Sequence, residues 1–245
     1  NLLSCDPSNR YLSAWNAHCF SEKRSKEEKI IHAKNIIDSV YKHIPARKKI
    51  HFVEPEGPEE CGILFRNNFT TPFVYQLHNR FPSYSKWHLS KDQDPAYEYY
   101  KKQLQIIQSE DNDQQHARWI LKAPMHLLYL DSLISTFPDA NVVVTHRDPG
   151  KILPSNISLG LSSLTACTRI RDSQHKEYAR TALMLLFFLI QITIEKRNKL
   201  PNNNFLDIQY NDLVANPINV VEAIYDNFSL EHSDQFHYNM EKYLK

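Results

Sequence analysis

The sequence NVVVTHRDPGKILPSNISL, residues 141–159, decides the fold of this chain. Its run of β-branched residues predicts a buried strand that ends at His146, and Pro149 is suited to the first turn of the helix that follows. Arg147 then lies at the carboxyl end of the strand, and Ser155 lies about two turns into the helix. A guanidinium, a hydroxyl and the free N–H groups of a helix start can bind one phosphate together. Pairing of Arg147 with the aspartate that follows it, or with another surface carboxylate, explains the spacing equally well.

Two further short apolar runs predict strands before and after this one in the chain, WIL at 119–121 and FLDIQ at 205–209. Helical periodicity lies between such runs. Residues 25–44 begin with a Ser/Glu capping box, and a second helix begins with Asp94 as its N-cap and Pro95 in its first turn. Strands that alternate with helices predict an α/β fold whose central parallel sheet is covered on both faces. Ligands of such sheets bind beyond the carboxyl ends of the strands.

The end of the strand at 119–121 carries a second group of candidate residues. Lys122 follows the strand, and His126 lies in the helix that Pro124 begins. A lysine here is suited to neutralise charge that develops on a bridging oxygen. An imidazole titrates near neutral pH and can accept the proton of an acceptor hydroxyl. A single histidine after a strand is more often structural, and the chain has 12 histidines, so the spacing leaves both interpretations open.

Composition limits the other classes of function. The formal net charge of +1 provides no broad basic surface for nucleic acid. The widely spaced cysteines form no CxxC or Cys/His metal pattern, so we expect neither a metal site nor disulfides, and reduced thiols favour a cytoplasmic location over the Golgi lumen. The apolar run ALMLLFFLI at 182–190 is shorter than the roughly 20 residues that span a bilayer. We interpret it as a buried helix and expect no transmembrane segment.

Together these segments resemble the sulfotransferase family. The resemblance rests on RWILKAPMHL at 118–127, FPDANVVVTHRDPGKILPSNISL at 137–159 and FLDIQYNDLVANP at 205–217, in that order. It points to the branch that reads W-x-L-K-x-P-x-H-L followed by T-H-R-D-P. The segments at 51–61 and 82–105 are also similar to that branch, so the resemblance covers nearly the whole chain.

The resemblance implies a three-layer P-loop-like fold and transfer of a sulfuryl group from 3′-phosphoadenosine 5′-phosphosulfate to a hydroxyl or amine, without a metal. By position, Arg147 and Ser155 would bind the 3′-phosphate of the donor, and Tyr210 would border its adenosine. Lys122 and His126 fall in the Lys–His segment of the family and would have the catalytic roles. The best-known enzymes of the family place this histidine two residues after the lysine, whereas here it lies four residues after it.

Two departures from the family pattern bear on activity. Members of the family begin with a strand and a P-R-T-G-T-T-type loop that binds the 5′-phosphosulfate, and none of the four glycines of this chain lies in such a loop. We therefore expect residues 1–245 to be a single domain truncated at the N-terminus and at the C-terminus, without the first strand and P-loop, and inactive by itself. Relatives in this branch commonly have Trp-Glu where this chain has Trp15-Asn16, and in some sulfotransferases a Glu in the corresponding region is the general base. An asparagine cannot act as a base. Substitute candidates are His51, Glu59 and Glu60, although an ordinary solvated charge run better explains the two glutamates.

Three functions stay open on this basis. The first is a sulfotransferase. The second is a non-catalytic relative that binds nucleotide or a partner protein, which Asn16 and the unusual histidine spacing favour. A P-loop kinase ranks below both because no G-x-x-x-x-G-K-[ST] is present.

Two further expectations concern the acceptor molecule and the oligomeric state. Aromatic residues around 45–100 suit a pocket for a lipid, a carbohydrate or another small molecule, and they suit a hydrophobic core equally well. Because an interior strand is expected to be missing, the chain should self-associate through unpaired strand edges.

Overall fold

The computed structural model describes residues 1–70, 82–110, 117–167, 172–201 and 204–245. The strands in these ranges are β1 (Asn9–Tyr11), β2 (Arg118–Ile120), β3 (Val142–His146) and β4 (Phe205–Gln209). The helices are α1 (Ala14–Cys19), α2 (Lys26–His43), α3 (Arg47–Ile50), α4 (Pro82–Ser90), α5 (Asp94–Ser109), α6 (Leu130–Thr136), α7 (Pro149–Cys167), α8 (Asp172–Arg197), α9 (Tyr210–Ala215), α10 (Pro217–Asn227) and α11 (Asp234–Leu244). Short 3-10 helices cover Leu2–Cys5, Cys61–Asn68 and Pro124–Tyr129.

The four strands form two separate parallel pairs. β1 pairs with β2, with Arg10 beside Trp119, and β3 pairs with β4, with Thr145 beside Ile208. Among the described residues no ladder joins the two pairs. The predicted α/β class with parallel strands is confirmed, and the described strands form two separate two-stranded sheets. Self-association through the free strand edges stays a prediction.

Two helix starts were predicted from capping residues, one at Ser25 and one at Asp94. The capping box of α2 is confirmed, since Ser25 Oγ accepts the Glu28 N–H at 3.2 Å and Glu28 Oε2 accepts the Ser25 N–H at 2.8 Å. The prediction that Asp94 is the N-cap of α5 is wrong by one residue, because Gln93 is the N-cap and Asp94 is already helical. The Asp92 carboxylate accepts the Asp94 N–H at 3.0 Å, which allows the chain to enter the helix earlier.

Each strand pair lies beside its own hydrophobic cluster. The cluster next to β1 and β2 contains the buried ring of Phe65, which stacks on Tyr100 at 4.8 Å and meets Tyr97 edge-on at 5.1 Å between ring centroids. The cluster next to β3 and β4 is built by α10 and α11, and its Tyr225 hydroxyl donates to Asp6 Oδ2 at 2.6 Å. Asn9 of β1 also donates to the Tyr225 hydroxyl, at 2.7 Å, so hydrogen bonds connect the second cluster to the first strand pair.

The prediction that residues 182–190 form a buried helix is wrong. The segment lies in α8, where Leu183, Met184 and Phe187 are 51%, 72% and 64% exposed. Because the run is apolar at every position, the side that packs against α6, α7 and the 3-10 helix Pro124–Tyr129 covers only part of it.

The same helix meets the length and composition of a membrane span. Over Gln174–Arg197 its mean hydropathy reaches 1.4. Core helices of water-soluble proteins pass the same test but are mostly buried, whereas none of this window is buried. The absence of a transmembrane segment stays a prediction.

Candidate functional site

The carboxyl ends of β3 and β4 bring two predicted donor-binding residues together. His146 is paired with Gln209 in the ladder, so the residues that follow them, Arg147 and Tyr210, emerge at the same edge. The guanidinium carbon of Arg147 lies 4.4 Å from the centroid of the Tyr210 ring. A guanidinium over an aromatic face is attracted by the electrons of the ring and keeps its N–H groups at the rim for a ligand. The Arg147 side chain is exposed and that of Tyr210 is half-buried.

The carboxylate next to Arg147 has a different partner. Asp148 Oδ1 accepts the Gly150 N–H at 2.8 Å, and the Asp148 carbonyl accepts the N–H groups of Lys151 and Ile152 at 2.9 and 3.1 Å. Asp148 therefore caps α7 and forms no ion pair with Arg147. The N–H groups expected to be free for a phosphate at this helix start are occupied. Arg147 is exposed at this edge, and its part in binding the donor stays a prediction.

Ser155, the second residue predicted to bind the 3′-phosphate, lies further along α7. Its side chain is exposed. The described residues show no contact that joins it to Arg147 or Tyr210. Its part in phosphate binding stays a prediction.

The carboxyl end of β2 carries Lys122, which points outward. Its side chain is 69% exposed and forms an ion pair with Glu60. The Cys61 N–H donates to the Lys122 carbonyl at 3.1 Å. The acidic segment that precedes Cys61, residues 51–60, therefore reaches the end of the strand. The structure therefore places Glu60, one of the substitute candidates for the base, directly beside the predicted catalytic lysine.

His126 is held by two neighbours. Its Nε2 lies 3.2 Å from Cys61 Sγ, and its Nδ1 lies 2.7 Å from the Tyr97 hydroxyl. The surrounding protein desolvates the ring and lowers the pKa of His126 to about 4, so the imidazole is neutral at pH 7. Burial raises the pKa of the Cys61 thiol to about 12, which keeps it protonated. Neither ring nitrogen of His126 is open to an acceptor in this arrangement, and its role as base stays a prediction.

The remaining candidates for the base lie near α1. Burial acts to raise the pKa of Glu59, but hydrogen bonds from His51 and from the Glu60 N–H hold it below its usual value. His51 Nε2 lies 3.5 Å from Glu59 Oε1. Asn16 is half-buried on α1, whose Trp15 N–H donates to the Pro55 carbonyl at 2.9 Å. Helix α1 is therefore fixed to the acidic segment by its backbone.

A cavity of about 360 Å³ opens between the start of α5, α6 and α8. Leu89 and Gln93, from the predicted acceptor segment 45–100, line it together with Phe188 and Lys196. None of the five predicted site residues lines it. Part of the acceptor segment, residues 71–81, lies outside the described residues.

Solved structures similar to this chain include two mycobacterial enzymes. Sulfotransferase STF1 from Mycobacterium tuberculosis superposes with a TM-score of 0.81 at 30% sequence identity, covering 99% of this chain and 66% of the other. Sulfotransferase STF9 from Mycobacterium avium superposes with a TM-score of 0.79 at 21% identity, covering 99% and 63%. The chain thus spans about two thirds of the length of either structure. The predicted P-loop-like fold class is confirmed.

The sequence comparison agrees with the fold. No curated protein matches the chain. The profile of the Sulfotransferase family matches residues 1–234, which is nearly the whole chain. The chain therefore belongs to the sulfotransferase family.

Proposed function

We propose that this protein transfers a sulfuryl group from 3′-phosphoadenosine 5′-phosphosulfate to a hydroxyl or amine, and that the described chain holds the 3′-phosphate side of the donor. The observation that carries the proposal is the Arg147 guanidinium over the Tyr210 ring at the shared end of β3 and β4. This edge is where ligands of parallel α/β sheets bind.

The chemistry of this pair suits an adenosine 3′-phosphate. An exposed guanidinium without a carboxylate partner among the described residues can donate two parallel N–H bonds to phosphate oxygens. The aromatic ring beneath fixes the orientation of the guanidinium and offers an apolar wall to the nucleoside. Ser155 would add a hydroxyl to the same phosphate.

The transfer itself is assigned to the end of β2. The acceptor oxygen or nitrogen attacks sulfur, the bond from sulfur to the bridging oxygen breaks, and 3′-phosphoadenosine 5′-phosphate leaves with the electron pair. Lys122 would neutralise the charge on that leaving oxygen, and His126 would accept the acceptor proton. Since His126 contacts Cys61 and Tyr97, the ring has to leave the Cys61 thiol before Nε2 can act. Acceptors of this class are small molecules, including lipids and carbohydrates.

The alternative is a non-catalytic relative that binds nucleotide or a partner protein. It is favoured by the two contacts that occupy the His126 ring nitrogens and by the asparagine at position 16. Both functions require the Arg147 and Tyr210 site, so they differ in turnover and not in nucleotide binding.

Two measurements test these functions. Calorimetry compares binding of 3′-phosphoadenosine 5′-phosphate with that of adenosine 5′-phosphate, and the proposal requires tighter binding of the ligand with the 3′-phosphate. Equal affinities would remove the basis for both functions.

Transfer from radiolabelled donor is then measured for the 245-residue chain and for the same chain preceded by a strand and a P-R-T-G-T-T-type loop. We expect no turnover from the first protein, because its sequence contains no such loop, and turnover from the second. Nucleotide binding without turnover in both would favour the non-catalytic relative.

A further inference from the structure

The turn between α1 and α2 gathers three side chains that can bind a metal ion. The sulfur of Cys19, a carboxylate oxygen of Glu22 and a ring nitrogen of His32 all lie within 4.8 Å of one another. We propose that these residues bind a divalent transition-metal cation, with Zn²⁺ as the expected ion. The site is independent of sulfuryl transfer and uses none of the residues assigned to it.

The backbone explains why residues so far apart in sequence meet. Cys19 is the last residue of α1, and its carbonyl accepts the Glu22 N–H at 3.3 Å, which holds Glu22 over the end of the helix. Ser21, between them, has a φ of 59° and reverses the chain. Helix α2 then runs back along α1, which brings His32 from its second turn to the same place.

The donor set matches zinc. Zinc binds thiolate sulfur, imidazole nitrogen and carboxylate oxygen, and its bond lengths in a tetrahedral site place neighbouring ligand atoms about 3.3–3.8 Å apart. Side-chain movements of about an ångström would bring the observed atoms to that spacing. Three protein ligands leave a fourth position for water. Binding displaces the proton of the Cys19 thiol to solvent.

One buried oxygen at the site has an ion pair but no hydrogen bond. Glu22 Oε2 is shielded from solvent and accepts no hydrogen bond from a described residue. Its one charged neighbour among the described residues is Arg24, whose Nη1 forms an ion pair with it at 3.1 Å. Buried polar atoms are nearly always bonded, and a bound ion is one way to satisfy such an atom.

The surroundings admit a cation. Cys19 is fully buried, whereas Glu22 and His32 are half-buried, so an ion can enter from the solvent side of the turn. Two cationic side chains lie close to the site: Arg24 is paired with Glu22 at 3.1 Å, and the buried Lys29 is paired with Glu110 at 2.8 Å. The spacing of the cysteines along the chain did not indicate a metal, and the proposal reverses the expectation that there is none.

Cobalt substitution tests the sulfur ligand. Titration of the 245-residue protein with Co²⁺ should produce a near-ultraviolet thiolate-to-cobalt charge-transfer band and the visible spectrum of a four-coordinate ion. Cys19→Ser should lose the charge-transfer band. Cys5→Ser is the matched control, since Cys5 is a free cysteine outside this cluster, and it should keep the band. A band that persists in Cys19→Ser, or that never forms in the wild type, overturns the proposal.

Zinc affinity tests the other two ligands without relying on the buried cysteine. Competition with a chelating dye should show one tight zinc per chain, and His32→Gln and Glu22→Gln should each weaken it by about tenfold or more. His43→Gln, an exposed histidine elsewhere on α2, is the control and should not change the affinity. Zinc should also raise the melting temperature of the wild type but not of His32→Gln. Affinities that are equal in His32→Gln and the control would show that zinc binds to other histidines, and the site would be rejected.

Discussion

The two strand pairs of this protein end in different ways. At the end of β2, Lys122 is paired with Glu60 and His126 is held between Cys61 and Tyr97, so each candidate group already has a partner within the chain. At the shared end of β3 and β4, Arg147 lies over an aromatic ring and is exposed. We call the end of β2 the closed end, because its candidate groups already contact other side chains of the protein. We call the shared end of β3 and β4 the open end, because Arg147 is exposed there.

This difference separates packing from binding. The closed end lies beside a cluster of stacked rings in which Tyr97 and Tyr100 are almost fully buried. The open end has a supporting cluster on α10 and α11, and the residues from His146 to Gly150 are exposed. Substitutions at the closed end should therefore change stability first, and those at the open end should change nucleotide binding first.

The largest effect is expected in the ring cluster of the closed end. Phe65 is 1% exposed and packs on two tyrosines, so Phe65→Ala should lower the free energy of unfolding by about 3–5 kcal/mol. Chemical denaturation monitored by circular dichroism measures the loss. Phe52→Ala, at a side chain that is 60% exposed, is the control and should change stability by no more than about 0.5 kcal/mol. A similar loss in both variants would show that the ring cluster is not tightly packed.

The next effect is expected at the open end. Arg147→Ala should weaken binding of 3′-phosphoadenosine 5′-phosphate by about 2 kcal/mol or more, the size expected when a charge-assisted contact is lost. Calorimetry measures it, and the free energy of unfolding should barely change. Lys34→Ala removes an exposed positive charge on α2 and should leave affinity unchanged. Unaltered affinity in Arg147→Ala would mean that this arginine has only a structural role.

The buried His126 at the closed end should make the stability of the protein depend on pH. The folded pKa of His126, about 4, lies below its ordinary value of 6.5, so between these two pH values the unfolded chain binds a proton that the folded chain does not. Stability is thus lost as pH falls from 6.5 towards 4.

The expected share of this single group between pH 7 and pH 5 is about 1–2 kcal/mol. His126→Asn should lose less stability over that interval than the wild type by about this amount, measured by denaturation at both pH values. His43→Asn, at an exposed position, should retain the full acid sensitivity. The same loss in His126→Asn and in the wild type would contradict desolvation of this ring.

The smallest effect is expected for the aromatic partner at the open end. Tyr210→Ala removes the ring under Arg147 and should weaken nucleotide binding by about 0.5–1 kcal/mol, the strength of a cation–π contact at an exposed site. Tyr210→Phe keeps the ring and should bind nearly as well as the wild type. A large loss in Tyr210→Phe would instead point to a hydrogen bond from the hydroxyl.

Strand ends were predictable from the sequence, and side-chain partners were not. The runs at 142–146 and 205–209 are long enough to show as apolar segments in the sequence, and their parallel pairing then places Arg147 next to Tyr210. Strand β1 has the sequence NRY, which contains no apolar run of the kind that marked β2. The contacts of His126 could not be predicted, because Cys61 and Tyr97 are 65 and 29 residues away in the chain.

The sequence by itself determined the α/β class, the family and the position of the arginine at a strand end, because these follow from local patterns and ordered motifs. Tertiary structure decided which groups are open and which are occupied. It placed the His126 ring between the Cys61 thiol and the Tyr97 hydroxyl. It also left one apolar side of α8 exposed and brought Cys19, Glu22 and His32 together at one turn. These outcomes depend on contacts between residues that are distant in the sequence. Such contacts leave no pattern in the local sequence, so they cannot be predicted from residue spacing.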